Sequence, residues 1–124
     1  MSSAHGTLVV TLKSGNFTEN EDGITKMDPY VKLSVGNQEF TSQVAHGQGK
    51  IPHWNQSFTF TINGEKELKV KAYDHDKIKD DHLGKATISL DDVFQKKHVS
   101  GDYKLHKLMV LTKGTLSIDM MFSS

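Results

Sequence analysis

Short runs in which apolar and polar residues alternate recur along the whole chain, and such a period of two leaves few folds open. "TLVVTLK" (7–13) sets Leu8, Val10 and Leu12 on one face, and "YVKLSV" (30–35) sets Val31, Leu33 and Val35 against Lys32 and Ser34. "SFTFTI" (57–62) aligns Phe58, Phe60 and Ile62, and "LKVKAY" (68–73) aligns Leu68, Val70 and Ala72. "KATISL", "DYKLHKL" and "GTLSIDMMF" add three more candidate strands, and "QEFTSQV" a weaker one. Turn residues separate the runs at Gly15-Asn16, Gly36-Asn37, Asn63-Gly64, Ser100-Gly101 and Lys113-Gly114, with tight hairpins expected at Gly36-Asn37 and Asn63-Gly64. One segment, "SLDDVFQKK", suits a turn or two of helix capped by Ser89 or Asp91. About eight short strands with frequent turns imply an all-β, antiparallel β-sandwich or barrel, and 124 residues suit one domain, 1–124. Trp54, Phe58 and Phe60 are the expected aromatic anchors of its core.

The acidic residues break this regularity. Eight of the 15 acids fall in two stretches, residues 19–28 and 74–81, and each stretch lies between predicted strands. Like charges gathered in folded loops repel one another, which raises their proton affinity unless a cation relieves the crowding. Asp74 and Asp76 are two apart on extended backbone and so leave the same face. Asp22 and Asp28 bracket a span short enough for one loop to present both. Calcium, which takes six to eight oxygens in tolerant geometry, fits such a donor set better than magnesium. Transition metals favour imidazole or thiolate, and the chain has no cysteine. An EF-hand is excluded: counted from Asp74, the fifth and sixth positions are Ile78 and Lys79. A lone acidic loop is ordinarily solvated surface; two of them on an all-β pattern point to a shared cation.

At these residues the sequence resembles a C2 domain, the calcium-dependent lipid-binding module. "MDPYVKL" (27–33) is similar to the family's S-D-P-Y-V-K signature, with Met27 in place of serine. "IPHWNQSFTF" (51–60) resembles N-P-x-W-N-E-x-F-x-F, departing at Ile51 and Gln56. "YDHD" followed by "DDHLG" resembles the loop D-x-D…D-D-x-I-G, and "GTLSIDMMF" the final strand. The likeness runs from about Gly6 to Phe122. It implies an eight-stranded antiparallel β-sandwich with its calcium loops at one end. The first strand leads directly into the first acidic loop, which resembles the permuted, type II topology.

Carried over by position, the family's metal ligands fall on Asp22, Asp28, Asp74, Asp76 and Asp81, with backbone carbonyls at Glu21 and His75. The loop from Asp74 to Gly84 is one residue shorter than in the best-known members, so either Asp80 or Asp81 fills the last position. The implied function is calcium-dependent binding to anionic, phosphatidylserine-like phospholipid membranes, as a sensor or adaptor. Charge gives this its sign. Residues 19–28 carry −3, residues 74–82 carry −2 and Lys50 adds +1, so the tip totals −4 and anionic lipid would be repelled. Two calcium ions bring it to zero. Lys26, Lys50 and Lys77 then contribute about 1 kcal/mol each near such a surface. Ile24 and Ile78 are the expected inserting side chains, while Met27 and Ile51 suit either insertion or core packing. A second family site, a phosphoinositide groove, is partly matched by Tyr30, Lys32 and Tyr73 with Lys69 and Lys71, although a solvated strand face is the preferred reading of the two last lysines.

Other functions are less well supported. All 15 basic residues are lysine, which removes the bidentate arginine contacts that read DNA, and net charge is zero, so no nucleic-acid partner is expected. No Ser/His/Asp context, phosphate-cradling glycine loop or His-x-x-x-His pair suggests an enzyme. His46, His53, His75 and His82 could crowd the acidic end and serve zinc or pH sensing, but scattered surface histidines are the simpler reading. The alternative function is a calcium-independent module that docks a protein partner. No apolar run approaches the ~20 residues of a membrane span, and "MSSAHGTLVV" lacks a secretory signal pattern, so a cytoplasmic protein, peripheral to membrane on calcium rise, is expected.

Overall fold

The computed structural model describes residues 3–17, 27–107 and 111–124. Its strands are β1 (His5–Phe17), β2 (Pro29–Val35), β3 (Gln38–Thr41), β4 (His53–Asn63), β5 (Glu67–Asp74), β6 (Asp81–Ser89), β7 (His98–Lys107) and β8 (Leu111–Ser123), with helix α1 (Asp91–Lys96) before β7. The strands run antiparallel in the order β3-β2-β5-β6-β7-β8-β1-β4. Only the pair Lys85↔His106 joins β6 to β7, so the sheet folds there into two layers. The alternating apolar residues fill the space between them. Leu8 sits between Phe60 and Phe122, Val10 between Phe58 and Met120, and Leu12 opposite Ile118. Val31, Leu33, Leu68, Val70 and Ala72 meet them from the other layer, all buried.

β1 extends further than the alternation at 7–13 predicts. The register shifts between Leu12 and Ser14, and the extra residue of this bulge moves the inward positions from even to odd numbers. Gly15 and Phe17 therefore turn inward, and the strand continues to Phe17. Of the two predicted hairpins, Gly36-Asn37 is one: Val35 pairs with Gln38, and Gly36 takes φ +57°. Asn63-Gly64 is not. β4 pairs with β1 and β5 with β2, so this turn carries the chain between layers. The local turn signal is right, but strand pairing is decided by distant partners. The helix also differs at its start. Its N-cap is Leu90, with no capping side chain, while Ser89 Oγ accepts a 3.3 Å hydrogen bond from the Asp91 N–H. Leu90 is fully buried and its N–H reaches the Lys66 carbonyl, 2.9 Å away. Core burial fixes the helix start in place of cap chemistry.

The two outer strands, β3 and β4, approach across the open side of the sandwich. Gln38 spans the gap: its Nε2 donates to the Thr61 carbonyl and its Oε1 accepts from the Thr61 N–H, each at 2.8 Å. Gln56 Oε1 accepts from the Gln43 N–H at 2.8 Å, and the Phe40 ring rests on Phe58 and Phe60. An edge strand with free N–H groups invites pairing with another chain, and these side chains occupy part of that edge. The first and last strands finish together: Thr7 pairs with Ser123, and Gly64 N–H bonds the Ala4 carbonyl. Phe17 ends β1 at the opposite pole, where its N–H meets the Lys50 carbonyl at 2.8 Å. Among the described residues no helix is long and apolar enough to cross a membrane.

Candidate functional site

The pole at which β1 ends is also where β2 begins, β5 ends and β6 begins. The register places Asp74 between Pro29 on one side and Asp81 on the other, so antiparallel pairing alone puts the Asp74 and Asp81 side chains on one face. Asp28, one residue before β2, joins them. Its N–H donates to Asp74 Oδ1 at 2.9 Å, its carbonyl accepts from the His75 N–H at 2.9 Å, and its Oδ1 accepts from the Gly47 N–H at 2.6 Å. Asp28 thus ties three loops together. Met27 beside it is 2% exposed and its carbonyl accepts from Gly49 N–H, so it belongs to the core rather than to a membrane contact. Trp54 is partly buried at this end, its Nε1 donating to the Pro29 carbonyl at 3.3 Å.

The electrostatics match the crowding. Burial pushes the Asp74 carboxyl above its ordinary range; the Asp28 N–H opposes this, and the charges of Asp28, Asp81 and Asp76 add to it. Four carboxylates therefore feel one another here. Asp80 is held differently. Its carboxylate accepts from the Tyr30 hydroxyl, from the Asp76 N–H at 3.0 Å and lies 3.2 Å from His75 Nδ1. These bonds, that of Tyr30 foremost, lower its proton affinity. Among the described residues, no three acidic or imidazole groups already stand in metal-binding geometry. The donor chemistry nonetheless suits a hard cation: Asp28, Asp74, Asp76 and Asp81 offer oxygen only. Of the other expected site residues, Glu21, Asp22, Ile24 and Lys26 lie outside the described residues. Ile78 is 96% exposed, in the same loop as Lys77, and Ile51 is 59% exposed beside Lys50. His46 and His75 approach edge to face at 6.4 Å, whereas His82 packs on Tyr73.

The lysine face is larger than the sequence suggests. Lys32, Lys71, Lys85 and His106 form one register row across β2, β5, β6 and β7, and residues in one row share a face. Beside it runs the row Tyr30, Tyr73 and His82. Tyr30 stacks on Tyr73 at 5.4 Å, and Lys32 Nζ lies 5.4 Å from the Tyr73 ring. Burial, and then the charges of Lys107, Lys85 and Lys71, depress the His82 pKa. Lys85, Lys107 and His106 escape a reading of the sequence because their place on this face is set by strand pairing, and His82, expected near the acidic end, lies against Tyr73 instead. The residues themselves are visible in the sequence; the strand pairing that sets Lys85 beside Lys71 and His106 is not.

The fold has counterparts among known proteins. A family model described as "C2 domain" matches residues 6–105. The chain is 47% identical over 92 residues to 16 kDa phloem protein 2 of Arabidopsis thaliana, covering 73% of this chain and 63% of that protein's length. It is 34% identical over 114 residues to elicitor-responsive protein 1 of Oryza sativa subsp. japonica, covering 82% of this chain and 72% of that protein. A solved C2 domain-containing protein from a putative elicitor-responsive gene superimposes with a TM-score of 0.86 at 38% identity, covering 99% and 92% of the two chains. The calcium-bound pair of C2 domains from Extended-Synaptotagmin 2 gives 0.80 at 27% identity, covering 94% of this chain and 45% of that one.

Proposed function

Because this chain belongs to the C2 domain family, we propose that it binds anionic phospholipid membranes in response to calcium, from the cytoplasm, as a sensor or adaptor without chemistry of its own. The observation that carries this reading is the meeting of Asp28, Asp74 and Asp81 at one pole, through hydrogen bonding and strand register, with Asp76 in the same loop. Asp28, Asp74, Asp76 and Asp81 would hold the ion, with Asp22 and the carbonyls of Glu21 and His75 as the further ligands inferred from the family. Bound calcium supplies neutralising charge and coordination positions for lipid phosphate oxygens. The chain does the rest. Asp28 fixes the spacing of the loops through Gly47, His75 and Asp74. Ile78, exposed beside these acids, adds about 1.5–3 kcal/mol if fully inserted among lipid chains. Lys50 and Lys77 attract the surface once the acids are neutralised.

The test is a calorimetric calcium titration of the native chain, Asp28→Asn and Asp76→Asn, repeated with phosphatidylserine vesicles. Binding that both substitutions remove and vesicles tighten supports the reading. Ile78→Ser should keep calcium uptake but weaken vesicle binding. No heat, together with metal-insensitive capture of a protein, would favour the alternative of a calcium-independent interaction module.

The register row of Lys32, Lys71 and Lys85 supports a second contact on the sheet face, with the phosphate groups of phosphoinositides. Tyr30, Tyr73 and Lys69 would flank it. Lys71→Glu with Lys85→Glu should weaken binding to phosphoinositide-containing vesicles while leaving phosphatidylserine vesicles unaffected; equal loss on both would reduce the face to a general attraction.

A further inference from the structure

The four acids between residues 74 and 81 do not share one task, and the structure separates them. Asp81 is the first residue of β6, and the backbone ladder opposite Asp74 sets its position. Asp80, one residue earlier, has both carboxylate oxygens engaged. Oδ2 accepts from the Tyr30 hydroxyl, and Oδ1 accepts from the Asp76 N–H at 3.0 Å with His75 Nδ1 at 3.2 Å. Tyr30 is a fixed post for this contact. It is 7% exposed, its ring stacks on Tyr73 at 5.4 Å, and the His75 ring meets it at 6.3 Å. The Asp80–Asp76 bond meanwhile closes the loop on itself across four residues, with Ile78 at its tip.

We infer that Asp80 is a positioning residue: bonded to Tyr30 and to the Asp76 backbone, it latches the β5–β6 loop onto β2, and the carboxylate that completes the cation cage is that of Asp81. The inference deepens the calcium reading above and rests on it for its affinity arm. A loop ordered before the ion arrives gives up less conformational freedom on binding, which raises affinity without adding a ligand. The latch therefore governs how tightly calcium is held, whereas Asp81 governs how many ions are held.

The experiment compares native chain, Tyr30→Phe, Asp80→Ala, the double variant and Asp81→Asn by calcium calorimetry, with amide hydrogen exchange of residues 75–80 measured in chelator. Tyr30→Phe and Asp80→Ala should each weaken affinity by about five- to tenfold with unchanged stoichiometry. The double variant should be little worse than either, as for two members of one interaction. Asp81→Asn should lose an ion. In chelator, both single variants should speed exchange of the Asp76 amide. Loss of an ion in Asp80→Ala, or native exchange in Tyr30→Phe, overturns the latch. If the native chain takes up no calcium, the membrane reading fails, and the exchange measured in chelator still decides whether the latch exists.

Discussion

Replacing Asp74 with asparagine should make the metal-free protein more stable while abolishing its response to calcium. Asparagine keeps an Oδ1 that can accept the Asp28 N–H, now 2.9 Å away, and removes the charge that burial and its neighbours Asp28, Asp81 and Asp76 all disfavour. A like-charged pair directly opposite on adjacent strands, as Asp74 and Asp81 are, costs roughly 0.2–1 kcal/mol. With two further acids nearby, the relief amounts to about 1–2 kcal/mol at neutral pH. Unfolding entropy near 2.1 cal/mol/K per residue makes 1 kcal/mol worth roughly 4 °C in a chain of 124 residues. Thermal melts in chelator should therefore rise by about 4–8 °C. Saturating calcium, at a hundred times its Kd, stabilises the native chain by ~2.7 kcal/mol and should not move the variant, so the order of the two melts reverses. The pH dependence follows from the raised carboxyl: its native-state proton stabilises fully below the ordinary carboxylate pKa, and that contribution is lost as pH rises through the raised value. The variant's advantage should accordingly vanish in acid. A lower melt in chelator at pH 7 would refute the repulsion argument, and a calcium-induced rise in the variant would remove Asp74 from the ligand set.

Gln38→Ala should cost about 1 kcal/mol by removing both bonds to Thr61, and it should speed exchange of the Thr61 amide; unchanged exchange would mean the glutamine guards nothing. The Tyr30 hydroxyl, pushed up to about 12 first by burial and then by Asp80, should ionise as a late phase of an ultraviolet titration. Its contribution to stability is present below pH 10 and lost as pH rises toward that value, and Tyr30→Phe should delete the late phase. Asp119 is held below the usual carboxylate range by Ser100 and then His98, whose Nε2 lies 2.6 Å away. That stabilisation is present above the ordinary carboxylate pKa and lost as pH falls through the lowered one. Asp119→Asn should thus remove about 0.5–1.5 kcal/mol at pH 6 and flatten the acid limb of a denaturant-midpoint profile.

Strand identity was legible because it is local. Alternation at 30–35, 57–62 and 68–73 marks residues that are buried on alternate positions in β2, β4 and β5. The bulge after Leu12 was not, since it arises from pairing β1 with both β4 and β8. For the same reason Asn63-Gly64 announced a turn but not its destination. At the acidic pole, spacing singled out Asp28 and Asp74, and the family resemblance added Asp81 with Asp80 as its alternative; the structure sets Asp81 opposite Asp74 by register and joins Asp28 to Asp74 by a hydrogen bond. The distinct setting of Asp80 was invisible, because its partner Tyr30 lies 50 residues away. Met27 illustrates a smaller limit: an apolar residue beside a charged loop reads equally as a membrane anchor or as core, and only the fold makes it core.

The polarity of β1 has a use in measurement. Residues 4 and 123 sit at one pole and Phe17 at the other, and the ten residue steps from Thr7 to Phe17 span roughly 33 Å at the rise of an extended strand. A fluorophore attached beside either position would stand at the pole far from the acidic loops. Energy transfer from it to acceptors in a lipid leaflet would report the tilt of the domain: weak when the sandwich stands upright on its loops, strong when the lysine face lies flat.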